Sequence, residues 1–78
     1  MRDVKVATSV LVPKDNVKFY VGYQSKTVIN DVKRLKQEGK AYDYTGHKKI
    51  VSVVYLKTGE VILTNTSLET LTERMNSE

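Results

Sequence analysis

The sequence contains no cysteine and no tryptophan, and among its 78 residues it has one histidine, one proline and one phenylalanine. Without cysteine, the chain has no disulfide framework and no thiolate metal site. With a single histidine, it holds neither a Cys/His nucleophilic pair nor the usual ligand set of a zinc site. We therefore expect no metal and no cofactor.

Long hydrophobic runs are also missing. No segment approaches the roughly 18 apolar residues that a membrane span requires. The first apolar stretch, residues 4–12, is interrupted by Lys5, Thr8 and Ser9 and does not resemble a signal peptide. We expect a cytoplasmic protein without a membrane partner, and the short chain predicts a single domain over residues 1–78.

Positive charge is concentrated in the first three quarters of the chain. Residues 1–59 carry twelve of the thirteen lysines and arginines and five acids, whereas residues 60–78 carry Arg74 and four acids. The first segment therefore has a formal charge of +7 and the second a charge of −3. A basic body with an acidic end is compatible with a polyanionic partner such as nucleic acid.

Short apolar segments predict a β-hairpin in the second half of the sequence. Residues 50–56 are β-branched and aromatic, and alternation directs Ile50 and Val54 to one face and Val51 and Val53 to the other. A strand that is apolar on both faces must be covered on both. Gly59 can adopt the positive φ of a tight turn, and residues 61–64 return as the partner strand.

Three further strands are expected before this hairpin. Residues 4–12 alternate between apolar and polar or small side chains and predict one half-buried strand. Pro13 and the three residues after it form a turn, and residues 17–21 form a strand that Gly22 ends. Residues 41–44 predict a short strand.

Two helices complete the pattern. The first is capped by Ser25 or Thr27 and ends near Gly39. The second is predicted by a capping box in which Thr66 is the cap and Glu69 reaches back to it, and its last residues are expected to fray. The apolar stripes of the two helices consist of Val28, Val32 and Leu35 and of Leu68, Leu71 and Met75.

These elements predict an α+β fold. It consists of a small twisted, mainly antiparallel sheet of four to five strands, with one central helix and a short C-terminal helix.

The sequence contains the residue types of one simple catalytic site. Asp43 and His47 can form an acid–base pair, with Ser52 or Thr45 as the nucleophile. However, alternation places Ser52 inside its strand, and the sequence supplies no oxyanion pocket and no glycine-rich phosphate loop. We therefore expect no enzyme.

The segment before the hairpin has a different character. Lys48 and Lys49 can neutralise backbone phosphates, His47 can add a donor, and Gly46 lets the backbone approach a ligand closely. We refer to residues 46–49 as the basic loop. Nucleic acid is one partner that this pattern suggests, and the alternative is a solvated loop with Tyr42 and Tyr44 half-buried beside the sheet.

An ordered set of motifs supports the same partner. Read without gaps from residue 17 to residue 75, the chain resembles the RemA-type regulators of bacterial extracellular-matrix genes. In that family a strand and a helix are followed by a glycine, an acid and a basic loop of the type G-R-R. An aliphatic strand comes next, and the motif ends with the segments V-I-L-S and E-T-hydrophobic-x-x-R. The matching features are Gly39, Asp43, GHKK at 46–49, Val53 and Val54, VILT at 61–64 and ETLTERM at 69–75.

The resemblance implies a small, non-enzymatic transcription regulator with some likeness to LytTR domains. Such proteins assemble with copies of themselves into rings and present basic loops to duplex DNA. Lys48 and Lys49 take the place of the family's paired arginines, and the family's other basic position falls on Asn16. Because lysine lacks the bidentate fork of arginine, phosphate contacts should dominate over base readout. Lys14 and Lys18 are the candidate substitutes at the family's other basic position, and His47 comes from the loop itself. The expected DNA-binding residues are therefore Lys14, Asn16, Lys18, His47, Lys48 and Lys49.

Two other functions fit the residues. An exposed sheet edge can recruit a protein partner by strand addition, which would make the chain an adaptor module without nucleic-acid binding. Tyr42 and Tyr44 can stack on exposed bases, which would favour single-stranded nucleic acid or RNA over duplex DNA.

Overall fold

The computed structural model describes residues 2–76, which form six β-strands and two α-helices. A 3-10 turn, Lys14–Asn16, separates the second strand from the third. In chain order the elements are β1 (Asp3–Ala7), β2 (Val10–Pro13), β3 (Val17–Gly22), α1 (Lys26–Gln37), β4 (Ala41–Asp43), β5 (Ser52–Leu56), β6 (Val61–Thr64) and α2 (Leu68–Asn76). The predicted α+β class is confirmed. Neither described helix is long and apolar enough to cross a membrane.

The main sheet has four strands in the order β3-β5-β6-β4. β5 pairs with β3 and β6 in antiparallel fashion, and β4 pairs in parallel with β6. The hairpin of β5 and β6 is present as predicted, and Gly59 in its turn has a φ of 101°. This positive φ is readily available to glycine, which has no Cβ.

The sheet is covered on both faces, as the apolar pattern of β5 predicts. Val53 packs with Val32 and Leu35 of α1, and Val54 packs with β1, β2 and α2 on the opposite face. The predicted orientation of Ile50 was wrong, because β5 begins only at Ser52. Ile50 precedes the strand and packs on the α1 side rather than beside Val54.

The prediction of one strand over residues 4–12 was also wrong. The segment is an antiparallel hairpin of β1 and β2, and Val4 pairs with Val12. The chain reverses at Thr8 and Ser9, and Ser9 has a left-handed φ of 63°. Val4, Val6 and Val12 are nevertheless buried, since this face of the hairpin lies against the sheet.

Helix α1 follows the predicted pattern closely. The Ser25 hydroxyl caps it by accepting a hydrogen bond from the Val28 amide at 3.2 Å. Its contact with the sheet is secured by Tyr55, whose hydroxyl donates to the Asp31 carboxylate at 2.9 Å. Burial, followed by this hydrogen bond, raises the pKa of Tyr55 to about 12. The Tyr55 hydroxyl therefore keeps its proton and its bond to α1 at neutral pH.

Helix α2 begins one residue later than the capping box predicts. Ser67, rather than Thr66, accepts the hydrogen bond from the Thr70 amide, at 3.2 Å. The Thr66 amide instead donates to the Thr64 hydroxyl at 3.1 Å. Leu71 is buried as predicted. The fraying expected at the C-terminal end concerns residues 77–78, which lie outside the described residues.

Candidate nucleic-acid interface

The basic loop is anchored firmly on its N-terminal side. The Asp43 carboxylate accepts two hydrogen bonds from Thr45, from its amide at 2.9 Å and from its hydroxyl at 2.7 Å. The Tyr44 amide donates to the Leu63 carbonyl of β6 at 2.9 Å, so pairing with β6 continues past the end of β4. Thr45 is buried, whereas Asp43 is exposed. These contacts fix the point at which the loop leaves the sheet.

The loop then turns sharply through two residues with positive φ. Gly46 has a φ of 66° and His47 a φ of 71°, and the Lys48 amide donates to the Thr45 carbonyl at 3.3 Å. Positive φ at both central residues is the signature of a type I′ turn. A Cβ added at Gly46 would meet nothing within 4 Å, so conformation rather than space favours glycine there.

A second anchor holds the C-terminal side of the loop. The side chain of Ile50 packs into the core cluster beneath α1. Val51 lies between two neighbouring segments, because its amide donates to the Thr64 carbonyl at 2.9 Å and its carbonyl accepts from the Tyr23 amide at 3.0 Å. The basic loop is thus a short exposed tip between two fixed points.

The cationic side chains of this tip face solvent. His47, Lys48 and Lys49 are all exposed, and among residues 2–76 no side-chain hydrogen bond or ion pair is found for them. Asp43, Gly46 and His47 line a depression at the base of the tip. The hydrogen bond from the Thr45 amide, followed by that from its hydroxyl, holds the pKa of Asp43 below its usual range. Asp43 is therefore ionised at neutral pH and keeps accepting both bonds.

Both described helices begin at the end of the sheet that carries the basic loop. Gly22 at the end of β3 pairs with Ser52 at the start of β5, and Ser52 pairs with Thr64 at the end of β6. Helix α1 follows β3 and helix α2 follows β6, so their N-termini lie at this end. The partial positive charge of a helix N-terminus attracts anions. The first turn of α1 has no acid, and that of α2 has Glu69.

The remaining predicted DNA-binding residues lie at the opposite end of the sheet. Val17 at the start of β3 pairs with Leu56 at the end of β5, and the Asn16 carbonyl accepts from the Lys57 amide at 2.7 Å. A strand rises about 3.3 Å per residue, so β5 alone separates the two ends by about 13 Å. Lys14, Asn16 and Lys18 therefore form no common patch with the basic loop of the same chain.

The residues considered for catalysis are not joined into an acid–base relay. Within the described residues, no hydrogen bond connects Asp43 to His47, and Asp43 Oδ1 accepts both hydrogen bonds from Thr45. Ser52 is fully buried, and its hydroxyl has no partner among the described groups. Residues 2–76 also contain no cluster of three or more side chains that could hold a metal ion.

The anchoring role of Asp43 and Thr45 was missed at the level of sequence, although a signal exists. An Asp two residues before a Thr, followed by Gly, is a pattern that forms an Asx turn. The grouping of the helix N-termini had no such signal, because it depends on how β3, β5 and β6 pair.

Replacing Asp43 by alanine is expected to loosen the tip. Both bonds to Thr45 would be lost, at a cost of about 1 kcal/mol in unfolding free energy, near the lower range for such bonds because Asp43 is exposed. Hydrogen exchange of the Thr45 amide should accelerate, as measured by NMR. Asp43→Asn is the matched control, since its side-chain oxygen can still accept. Equal exchange rates in the wild-type protein and Asp43→Ala would contradict the anchoring role.

Comparison with known proteins agrees with the motifs in the sequence. The model of the RemA-like family, described as extracellular matrix regulatory protein A-like, matches residues 4–75. This range includes the basic loop and both ends of the sheet. Among curated proteins, sequence comparison detects no match. Because the family match spans nearly the whole chain and agrees with the resemblance noted above, the chain belongs to the RemA-like family of extracellular matrix regulatory proteins.

Proposed function

We propose that the protein is a non-enzymatic transcription regulator that binds the phosphates of duplex DNA through its basic loop and acts as an assembly of identical chains. One observation carries the proposal. His47, Lys48 and Lys49 are exposed on a tip that is anchored at both sides, at the end of the sheet where both described helices begin. Cations on an anchored loop, at the end of a sheet where helices begin, favour backbone phosphates.

Assembly is part of the proposal because one chain offers few contacts. Each phosphate that a cation neutralises contributes roughly 0.9 to the slope of log affinity against log salt, so Lys48 and Lys49 together contribute about 2. Binding of that kind is weak at physiological salt. Repeating the loop along a shared surface increases the effective concentration of every further contact.

The position of the second basic group also favours assembly. Lys14, Asn16 and Lys18 lie at the end of the sheet away from the basic loop, with Asn16 tied to the turn between β5 and β6. Head-to-tail contacts between copies can bring opposite ends of neighbouring chains together, and they close into a ring when the rotation permits. The two groups would then serve one duplex from different chains.

An adaptor function is the second candidate, and β3 supports it. Among residues 2–76 this six-residue strand pairs only with β5, and Phe19 on it is 44 % exposed. An unpaired edge of this length is suited to strand addition by a partner. Lys18 and the irregular register between Val17 and Phe19 oppose it, since both features discourage edge pairing.

Titration of the purified protein into labelled duplex DNA, followed by fluorescence anisotropy at several salt concentrations, tests the proposal. We expect binding at about 50 mM salt, with a slope steeper than about 2 because several chains contribute. Light scattering on the same sample should give a mass that is a multiple of the 8.9 kDa chain. Absence of salt-dependent binding would reject the DNA partner, and a strict monomer at high concentration would reject the assembly.

A further inference from the structure

Two of the five tyrosines differ from the others in their surroundings. Tyr20, Tyr23 and Tyr55 are partly buried and pack against the core. The hydroxyls of Tyr20 and Tyr55 donate to Thr72 at 3.1 Å and to Asp31 at 2.9 Å. Tyr42 and Tyr44 are 44 % and 45 % exposed, and within residues 2–76 no hydrogen bond is found for either hydroxyl. Core packing therefore accounts for the first three rings but not for the rings of Tyr42 and Tyr44.

The exposed pair forms a short aromatic strip on the edge of the sheet. Within the described part of the chain β4 pairs only with β6, and the Tyr44 amide extends that pairing by its bond to Leu63. Residues two positions apart on a strand point to the same face, with about 6.6 Å between their backbones. Tyr42 pairs with Ile62, so the strip lies on the face that carries the β1–β2 hairpin and α2.

This spacing suits the stacking of nucleic-acid bases. Stacked bases rise about 3.4 Å per step, so a separation of about 6.6 Å accommodates one base between two aromatic rings. Each ring can also stack on a base of its own, because every base has an aromatic face. In a duplex these faces are already covered by neighbouring bases, which leaves the strip with nothing to stack on.

The strip leads directly into the basic loop. Tyr44 is separated from Gly46 only by Thr45, whose bonds to Asp43 fix the direction in which the chain continues. Aromatic rings beside a cationic track are the usual elements of a site for single strands, in which the rings take bases and the cations take phosphates. We propose that Tyr42 and Tyr44 form a stacking platform for unpaired bases, which gives the basic loop a site for single-stranded DNA. This inference rests on the proposed role of Lys48 and Lys49 as phosphate contacts.

Substitution of both tyrosines tests the platform. Anisotropy titrations would compare a labelled oligothymidylate with a duplex of equal length for Tyr42→Ala/Tyr44→Ala and for Tyr42→Phe/Tyr44→Phe. We expect the alanine variant to bind the single strand at least about tenfold more weakly, since stacking on one ring contributes fivefold or more. Its duplex binding should stay within about twofold of wild type. The phenylalanine variant keeps the rings and should keep single-strand binding.

A spectroscopic readout gives a second test that does not depend on variants. The chain has no tryptophan, so its intrinsic fluorescence comes from its five tyrosines. Oligothymidylate should quench this emission at saturation, and the quenching should be absent in the alanine variant. The circular dichroism spectrum and melting temperature of both variants should match wild type, because neither ring is buried.

The other outcomes separate this inference from the proposed function. Unchanged single-strand binding in the alanine variant overturns the platform and leaves duplex binding by the lysines standing. Equal loss of single-strand and duplex binding also overturns it, because the tyrosines would then not distinguish unpaired from paired bases. A change in the mass of the assembly in the alanine variant also overturns it, because the rings would then lie between copies of the chain. Full duplex binding after charge reversal at Lys48 and Lys49 would instead reject the proposed function.

Discussion

Reversing the charge of Lys48 and Lys49 together is expected to abolish duplex DNA binding and to leave the fold unchanged. With Lys48→Glu/Lys49→Glu, complex formation should be undetectable even at about 100 times the protein concentration that saturates wild type. Neutralising a phosphate-contacting lysine lowers the salt slope by about 1 for each contact, and reversal adds repulsion to that loss. An assembly multiplies the effect by the number of loops that touch the DNA.

The fold should tolerate the change because neither side chain supports it. Both lysines are exposed at the tip of the basic loop, and their neighbours Thr45 and Ile50 carry the anchoring contacts. Surface substitutions away from such contacts usually change stability by less than about 0.5 kcal/mol. The melting temperature of the double variant should therefore stay within a few degrees of wild type.

A matched variant separates a local site from general attraction. Lys5→Glu/Lys33→Glu also replaces two exposed lysines by acids, so it lowers the net charge by the same amount, but on β1 and α1. We expect this variant to retain salt-dependent binding with a modestly lower affinity. If both double variants lose binding equally, overall charge rather than the basic loop attracts the DNA.

The parts of the fold that sequence reasoning predicted correctly are those with a local signal. Helix α1 has a serine cap at Ser25 and a glycine with positive φ at Gly39, and its buried stripe follows the helical period. The hairpin of β5 and β6 has Gly59 at its turn and continuous apolar strands on either side. In these elements the residues that cause the conformation are neighbours in the chain.

The missed features lack such a signal or depend on distant partners. The turn between β1 and β2 consists of Thr8 and Ser9 rather than glycine, asparagine or proline. Ser9 adopts a left-handed φ, which is not expected for serine. Two hydroxyl residues compete to cap α2. Ser67 caps the helix, whereas the Thr66 hydroxyl instead accepts a hydrogen bond from the Thr64 hydroxyl at 3.0 Å. The alternating apolar pattern also includes residues that precede β5, and for this reason the predicted face of the Ile50 side chain was wrong.

The candidate site also has one part with a local sequence signal and one part that depends on distant strands. The basic loop was proposed from Gly46, Lys48 and Lys49 alone, and it lies within the residues 4–75 that match the family model. The separation of the basic loop from Lys14 and Lys18 could not be predicted from the sequence. It depends on the antiparallel pairing of β3 with β5, which are more than thirty residues apart in the chain. Pairing between distant strands is decided by packing of the whole sheet.

Truncating the centre of the core is expected to have the largest effect on stability. Leu63 is fully buried in β6, where it packs with Val53, Val61 and α1. Leu63→Ala removes buried methyl groups and leaves a cavity, at a typical cost of about 3–4 kcal/mol. A domain of this length has a total stability of roughly 4–12 kcal/mol, so the variant would lose a large share of it.

Thermal unfolding followed by circular dichroism measures this cost. In a domain of this size each kcal/mol lowers the melting temperature by about 4–8 °C, so a drop of roughly 12–30 °C is expected. Leu11→Ala is the matched control, because it makes the same chemical change at a side chain that is 63 % exposed. Both variants should be compared with wild type at one protein concentration, since self-association makes the melting temperature depend on concentration.

The same substitution connects the core to the candidate site. The Leu63 carbonyl holds the Tyr44 amide, and this bond lies directly before the anchor that Asp43 and Thr45 provide for the basic loop. DNA binding by Leu63→Ala should therefore fall as temperature rises, in parallel with its unfolding, while Leu11→Ala binds as wild type does. A loss of less than about 1 kcal/mol in Leu63→Ala would mean that β6 is not the packed centre of the sheet.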